Sequence, residues 1–398
     1  MRPSCRRFLR RAAAALAAAA VGAPAAAALS DLKIPPPEIG AEAYALMDAL
    51  TGEMIAEKNA DLQLPPASLT KIMTAYLIFS AVDEQVLELE DMMTVSKRAR
   101  AAQGSRMFLE EGSSVSVRDL LLGLVVQSGN DAAIALAEGL AGSEEAFVDL
   151  MNQQARLLGM ADTRFANSTG LNAKGHATTA RDMAVLSRAL ARDYPELYRM
   201  HAEREYEYNG ILQTNRNRLL ENYRGADGIK TGYTRAAGYC LAASAVRHNM
   251  RLIGVVLKSR SAARRTAEMT ALFNYGFTHF RSVELFAPGQ ALDELKVWGG
   301  AELKVPVGYG GDDAFRILLT KADANSLKAV LQGPARPLEA PVGTGDEVAR
   351  IKLTAGDRPV ADLPAVALED VAPGPWWHRL ADYVRLHWLA PDQPKEAL

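Results

Sequence analysis

Near Arg281 the sequence changes texture, and no single core pattern accommodates both sides of that boundary. Before it, alternating runs are interleaved with long stretches whose apolar residues recur at helical spacing. After it come short β-like pieces punctuated by glycine and proline, including Glu302-Leu-Lys-Val-Pro-Val, Phe315-Arg-Ile-Leu-Leu and Val348-Ala-Arg-Ile-Lys-Leu. A chain of 398 residues also exceeds what one hydrophobic core usually organises. Two domains are therefore expected: an α/β (α+β) domain over 29–281, with helices bracketing an antiparallel sheet, and a small all-β domain over 282–372. In the first, 43–50 reads as a strand, Thr51-Gly52 as a turn and 53–58 as its hairpin partner. Helical periodicity covers 68–82 and 117–140, while 239–246 and 251–257 read as a second hairpin turned at His248-Asn249.

The two ends follow different rules. Residues 1–28 have a basic start carrying Arg2, Arg6, Arg7, Arg10 and Arg11, then an apolar stretch and small residues up to Ala28, the pattern of a removable signal peptide for export. Arg6-Arg7-Phe8-Leu9 is compatible with twin-arginine export, and an ordinary secretory signal accounts for it equally. After Pro373-Gly374-Pro375, the segment 373–390 places Trp376, Trp377, Leu380, Ala381, Val384 and Trp388 on one helical face, with His378, Asp382 and Arg385 opposite. Tryptophans on an amphipathic helix too short to span a bilayer fit a helix lying in the membrane interface; a helix capping the β domain is the alternative. A short tail, 391–398, follows.

Several chemistries are excluded early. Loss of the five signal arginines takes the formal net charge from −2 to −7, and without a basic stripe there is no electrostatic basis for holding nucleic acid. Cys5 leaves with the signal, so Cys240 remains alone, in an apolar run, as a small buried core residue. The six histidines are scattered without metal-ligand spacing, and no metal or other cofactor is implied.

The residues that carry chemistry fall in three strings: Ser68-Leu-Thr-Lys71, Ser128-Gly-Asn130 and Lys230-Thr231-Gly232. Each alone has a bland reading: a helix N-cap for Ser68, a helix end for Ser128, a surface turn for Lys230. Together they make sense as a nucleophile site. Serine needs a base at neutral pH, and at a helix start a lysine three residues on lies on the same face, able to accept the proton if burial keeps it neutral. Lys230 supplies a nearby cation that depresses that lysine further. Gly228 and Gly232 leave room along a strand for a substrate backbone, and an edge strand that pairs with a peptide is the natural use.

In this order the strings resemble the low-molecular-mass penicillin-binding proteins, the serine-type D-Ala-D-Ala carboxypeptidases, which use Ser-x-x-Lys, Ser-x-Asn and Lys-Thr-Gly. The likeness extends through Gly170-Leu-Asn-Ala, Ala180-Arg-Asp-Met-Ala, Asn215-Arg-Asn and the C-terminal helix. It implies a β-lactamase/transpeptidase-like catalytic domain. It also implies Ser68 as nucleophile, Lys71 as general base and Ser128 as proton relay to the leaving amine. Asn130 would hold the substrate amide, Lys230 would place charge near Ser128, Thr231 and Gly232 would line the substrate strand, and Arg265 would meet the terminal carboxylate, with Arg216 nearby. The backbone N–H groups of Ser68 and Tyr233 would form the oxyanion hole. Tyr233 departs from the histidine common in the family, which puts substrate preference and deacylation rate in question.

The resemblance implies removal of the terminal D-alanine from peptidoglycan pentapeptides through an acyl-enzyme, inhibition by β-lactams, and residence at the periplasmic face of the inner membrane. Three rival readings remain. A D,D-endopeptidase shares the motifs. A class A β-lactamase shares the fold, but the stretch 161–172 lacks the Glu-x-x-Leu-Asn pattern that activates its deacylating water. A non-catalytic peptidoglycan-binding protein would leave the nucleophile and base without a purpose.

Overall fold

The structure, a computed structural model, describes residues 34–385. The expected signal peptide, Trp388 and the tail lie outside the described residues. Two compact units follow one another, 34–278 and a second from His279 onward.

The first unit is built on a five-stranded antiparallel sheet of β1 (Ala43–Asp48), β2 (Met54–Lys58), β3 (Ala226–Thr234), β4 (Gly238–Arg247) and β5 (Met250–Ser259), in the order β2-β1-β5-β4-β3. Successive side chains in a strand point to opposite faces, so a sheet covered on both sides reads as a continuous apolar run. That is the case for β1, buried at every position. Ala43, Ala45, Met47, Ile253, Val255 and Leu257 join the large helical core. Leu46, Leu252 and Gly254 lie against the helix Ala262–His279 through Gly276, Met269 and Phe273. The β4–β5 hairpin turns where the sequence places it, with His248 and Asn249 both at positive φ, the backbone that tight hairpins need.

Helix α1 (Thr70–Asp83) runs through the core and is buried on all sides from Thr70 to Ala81. Its periodicity is therefore that of an internal helix rather than a one-faced surface helix. Its polar groups find internal acceptors: Thr70 Oγ1 donates to Ala67 O at 2.9 Å and Thr74 Oγ1 to Ser168 O at 2.8 Å. Ser68 lies before it, in the 3-10 turn Ala67–Leu69, with no side-chain cap bond at that turn's start. The helix expected over 117–140 is broken. A first turn-and-a-half, Val117–Leu122, widens into a π-helical stretch, Gly123–Gln127; Ser128 takes φ +65°, and a second helix, α2 (Asn130–Ala141), sets off anew. Apolar spacing runs through the break unchanged, so periodicity alone is blind to it. What fixes the break is the Asp131 carboxylate, which accepts backbone N–H bonds from Met107, Phe108 and Leu109 and ties the start of α2 to a separate loop.

The second unit pairs Phe280–Phe286 with Phe315–Thr320, and has a six-stranded sheet in the order Leu327–Gln332, Glu347–Ala355, Arg358–Ala367, Lys304–Tyr309, Ala291–Trp298, Leu338–Glu339. It ends in the helix Trp376–Val384. Asp382, expected on the solvent face, instead points inward and accepts the Gly299 N–H at 3.1 Å, while Trp376, Trp377, Leu380, Tyr383 and Val384 are exposed. Among the described residues no helix is long and apolar enough to cross a membrane.

Candidate active site

The 3-10 turn and the first turn of α1 bring Ser68 and Lys71 together because three residues complete roughly one turn. Lys71 Nζ lies 3.3 Å from Ser68 Oγ, 2.6 Å from Asn130 Oδ1 and 2.6 Å from the Thr169 carbonyl oxygen. The lysine is 1% exposed. Burial lowers its pKa to about 7; the Asp131 carboxylate pulls the other way, and the Arg216 guanidinium adds to the lowering.

The second string arrives from the helix break. Asn130 opens α2, accepts from Lys71 and donates through Nδ2 to Gln103 O. Ser128, left-handed and 3% exposed, has a buried Oγ without a hydrogen-bond partner and lines the same cleft as Ser68. An unsatisfied buried hydroxyl carries a penalty of about 1–3 kcal/mol.

The third string lies on β3, which is an edge of the sheet. Lys230 and Thr231 are buried there, and the Lys230 amine donates to Thr231 O at 3.1 Å. Burial pushes the Lys230 pKa well down, assisted by the positive charges of Lys71, Arg216 and Arg265. Behind the strand, His201 Nδ1 meets Ile229 O at 3.0 Å and Asn217 Nδ2 donates to Gly228 O, fixing the backbone immediately before Lys230. A Cβ on Gly232 would stand 3.1 Å from the Ser68 backbone nitrogen, so a side chain there would press the strand away from the Ser68 turn by a few tenths of an ångström.

Ser68, Ser128, Asn130, Arg216, Thr231, Gly232, Tyr233 and Arg265 all line one cleft of about 790 Å³, with Lys71 and Lys230 buried beside it. Arg265 donates to Cys240 O at 3.1 Å, keeps a buried Nε without a partner, and stands 6.0 Å over the Tyr239 ring. Arg216 donates to Ser105 Oγ at 2.9 Å. The Tyr233 ring is more than half exposed and packs on Tyr239 with centroids 4.4 Å apart. Cys240 is buried and unpaired, and burial raises its thiol to about 11, which removes it as a nucleophile.

Sequence reading missed the loop that completes the lysine's surroundings. Asn167 Oδ1 accepts from the backbone N–H groups of Thr169 and Gly170, aiming the Thr169 carbonyl at Lys71, and Gly170, at φ +87°, leaves no room for a Cβ against the Ala67 carbonyl oxygen. The signals in the sequence are the turn-forming run Asn167-Ser-Thr-Gly170 and the family-like Gly170-Leu-Asn-Ala, neither of which assigns the Thr169 carbonyl a role. Asp131, adjacent to the second string, carries no role in the sequence reading either.

Comparison with known proteins points to one family. The D-alanyl-D-alanine carboxypeptidase family pattern matches residues 31–261, and the penicillin-binding protein 5 C-terminal domain matches 280–373. The D-alanyl-D-alanine carboxypeptidase DacC of Escherichia coli is 40% identical over 386 residues, 95% of this chain and 96% of its own. DacF of Bacillus subtilis is 34% identical over 83% of this chain and 86% of its own. Penicillin-binding protein 5 from Haemophilus influenzae superposes with a TM-score of 0.77 at 34% identity, covering 85% of this chain and 99% of that one. Penicillin-binding protein D2 from Listeria monocytogenes, solved in its ampicillin-bound form, gives 0.57 at 33% identity over 61% of this chain and 100% of that one. With a serine, a buried lysine and an edge strand gathered on one cleft and these matches along both units, the chain belongs to the D-alanyl-D-alanine carboxypeptidase family of serine peptidases.

Proposed function

We propose that the chain removes the terminal D-alanine from peptidoglycan stem peptides with Ser68 as nucleophile and Lys71 as its base. The observation that carries this reading is the triple contact of the Lys71 amine. A neutral amine has two N–H donors and one lone pair. Asn130 Oδ1 and Thr169 O take the two donors, which leaves the lone pair for the Ser68 hydroxyl.

Ser68 Oγ attacks the penultimate D-Ala carbonyl carbon while its proton passes to Lys71 Nζ. The oxygen that gains charge sits between the backbone N–H groups of Ser68 and Tyr233, which the close approach of β3 to the turn brings near each other. The C–N bond then breaks, and the proton on Lys71 reaches the leaving amine through Ser128. Water attacks the acyl carbon, gives a proton to Lys71, and Ser68 recovers its own as the shortened peptide leaves. Asn130 and Thr231 hold the substrate backbone along β3, and the unpaired Nε of Arg265 awaits the terminal carboxylate. Burial and the neighbouring cations lower the Lys230 pKa, and a substrate carboxylate works in the opposite direction, favouring a positive charge beside Ser128.

A β-lactam offers a strained amide in place of the peptide, and its leaving portion stays tethered, blocking water. The ampicillin-bound Listeria relative supports this reading. The test is D-alanine release from diacetyl-Lys-D-Ala-D-Ala by the mature protein. Release that stops in step with covalent penicillin labelling is expected; release insensitive to a fully labelled site would overturn it. Rapid turnover of penicillin itself would favour a β-lactamase.

The signal-like 1–28 segment and the aromatic outer face of Trp376–Val384 support a protein held on the periplasmic face of the inner membrane. Removal of residues 376–398 is expected to move it from the membrane pellet to the soluble fraction, and unchanged sedimentation would refute the anchor.

A further inference from the structure

The turn that presents Ser68 is held in an unfavourable shape. Ala67 has φ +48°, a value that residues with a Cβ seldom adopt. Its carbonyl accepts the Thr70 hydroxyl proton at 2.9 Å, and the same Thr70 oxygen lies 3.0 Å from His176 Nε2. A threonine hydroxyl has one proton. Given to Ala67, it cannot also serve His176, so the ring must be the donor in the second contact: the proton sits on Nε2 and Nδ1 is bare.

That assignment explains a second observation. Nδ1 of His176 is buried with no hydrogen-bond partner. The imidazole is 6% exposed and edge-on to the Phe165 ring at 6.0 Å. A purely apolar residue would fill this space without leaving a nitrogen unsatisfied, so the retained ring is accounted for by what Nε2–H does for Thr70. Burial also holds the imidazole pKa near 4, which keeps the ring in its neutral, single-donor form at ordinary pH.

We propose that His176 is a positioning residue for the nucleophile: by donating to Thr70 it directs the Thr70 hydroxyl onto the Ala67 carbonyl and so sets the orientation of Ser68. This rests on Ser68 being the nucleophile. Neither His176 nor Thr70 lines the cleft, so the effect falls on the rate of acylation and not on noncovalent binding. A relay of two hydrogen bonds also predicts that the two residues act as one unit.

The experiment is single-turnover acylation by a fluorescent penicillin, fitted to separate the noncovalent dissociation constant from the acylation rate constant and counted per labelled site, so that loss of folded protein does not enter. His176→Leu, which keeps bulk but cannot donate, is expected to slow acylation about tenfold, the scale of one lost hydrogen bond, with the dissociation constant unchanged. Thr70→Val, nearly isosteric, should slow it at least as much, and His176→Leu should add nothing in that background. His176→Gln, whose amide can donate to Thr70, should recover most of the rate. Wild-type acylation rates in both His176→Leu and Thr70→Val, or fully additive losses in the double variant, would overturn the proposal; if His176→Leu does not fold, Thr70→Val and His176→Gln decide it alone. Failure of the underlying reading has a different signature, because the wild-type protein would then not be labelled at Ser68 at all.

Discussion

Ser68→Ala abolishes covalent labelling by penicillin and lowers D-alanine release by more than about 10⁴-fold, on the scale of nucleophile deletions in other serine peptidases. The expectation follows from what remains. Lys71, with its donors occupied by Asn130 and Thr169, faces a methyl group and has no proton to take. Two alternative nucleophiles are disfavoured: the Ser128 hydroxyl has no base in contact with it, and Cys240 is buried with its thiol raised to about 11. The check is a gel-based labelling assay beside amino-acid analysis of released D-alanine. Undiminished labelling of the folded variant would mean that another residue forms the acyl-enzyme, and the roles assigned around Ser68 would fall together.

Lys71→Arg should cost about 10³-fold in acylation, since a guanidinium cannot lose its proton near neutrality and cannot act as a base. The wild-type enzyme should show the same requirement as a pH profile. Lys71 works only when neutral, and its pKa is lowered to about 7. The acylation rate constant is therefore expected to rise tenfold per pH unit below that value and to level off above it. A profile that stays flat from about pH 5 to 8 would remove Lys71 as the titrating base. The two predictions separate the nucleophile from its activation, because Lys71→Arg keeps Ser68 in place.

Much of this site was legible because its chemistry is local in sequence. Ser68 and Lys71 are one turn apart, Ser128 and Asn130 flank one glycine, and Lys230 to Tyr233 lie consecutively on one strand, so each string carries its own geometry before any fold is known. Long-range contacts were not legible. That Lys71 meets Thr169 across ninety-eight positions depends on how the Asn167–Gly170 turn folds over α1, and nothing in its composition announces a carbonyl aimed at an amine. The sheet's edge was foreseen for β3 and its hairpin turn for His248-Asn249, where backbone preference decides. The break at Ser128 was not, because the apolar spacing that signals a helix continues through the π-helical stretch. At the far end, periodicity sorted Asp382 by its position on a wheel, whereas the Gly299 amide supplied a partner that outweighs solvation.

The neutral bases packed into the first unit also decide how the protein meets acid. His176 and His201 are each lowered from 6.5 to about 4 by burial, and Lys71 from 10.5 to about 7. For a base with a depressed pKa, the unfolded chain binds the proton first. Stability therefore rises with pH between the folded and unfolded values, over about 4 to 6.5 for the histidines and about 7 to 10.5 for the lysine, and falls as pH drops through the same windows. All three act in one direction, so the melting temperature of the first unit is expected to decline steadily from mildly alkaline to mildly acidic buffer, with no carboxylate having to be protonated. A buried site dry enough to hold an uncharged lysine thus makes its own scaffold more durable in mildly alkaline than in mildly acidic buffer.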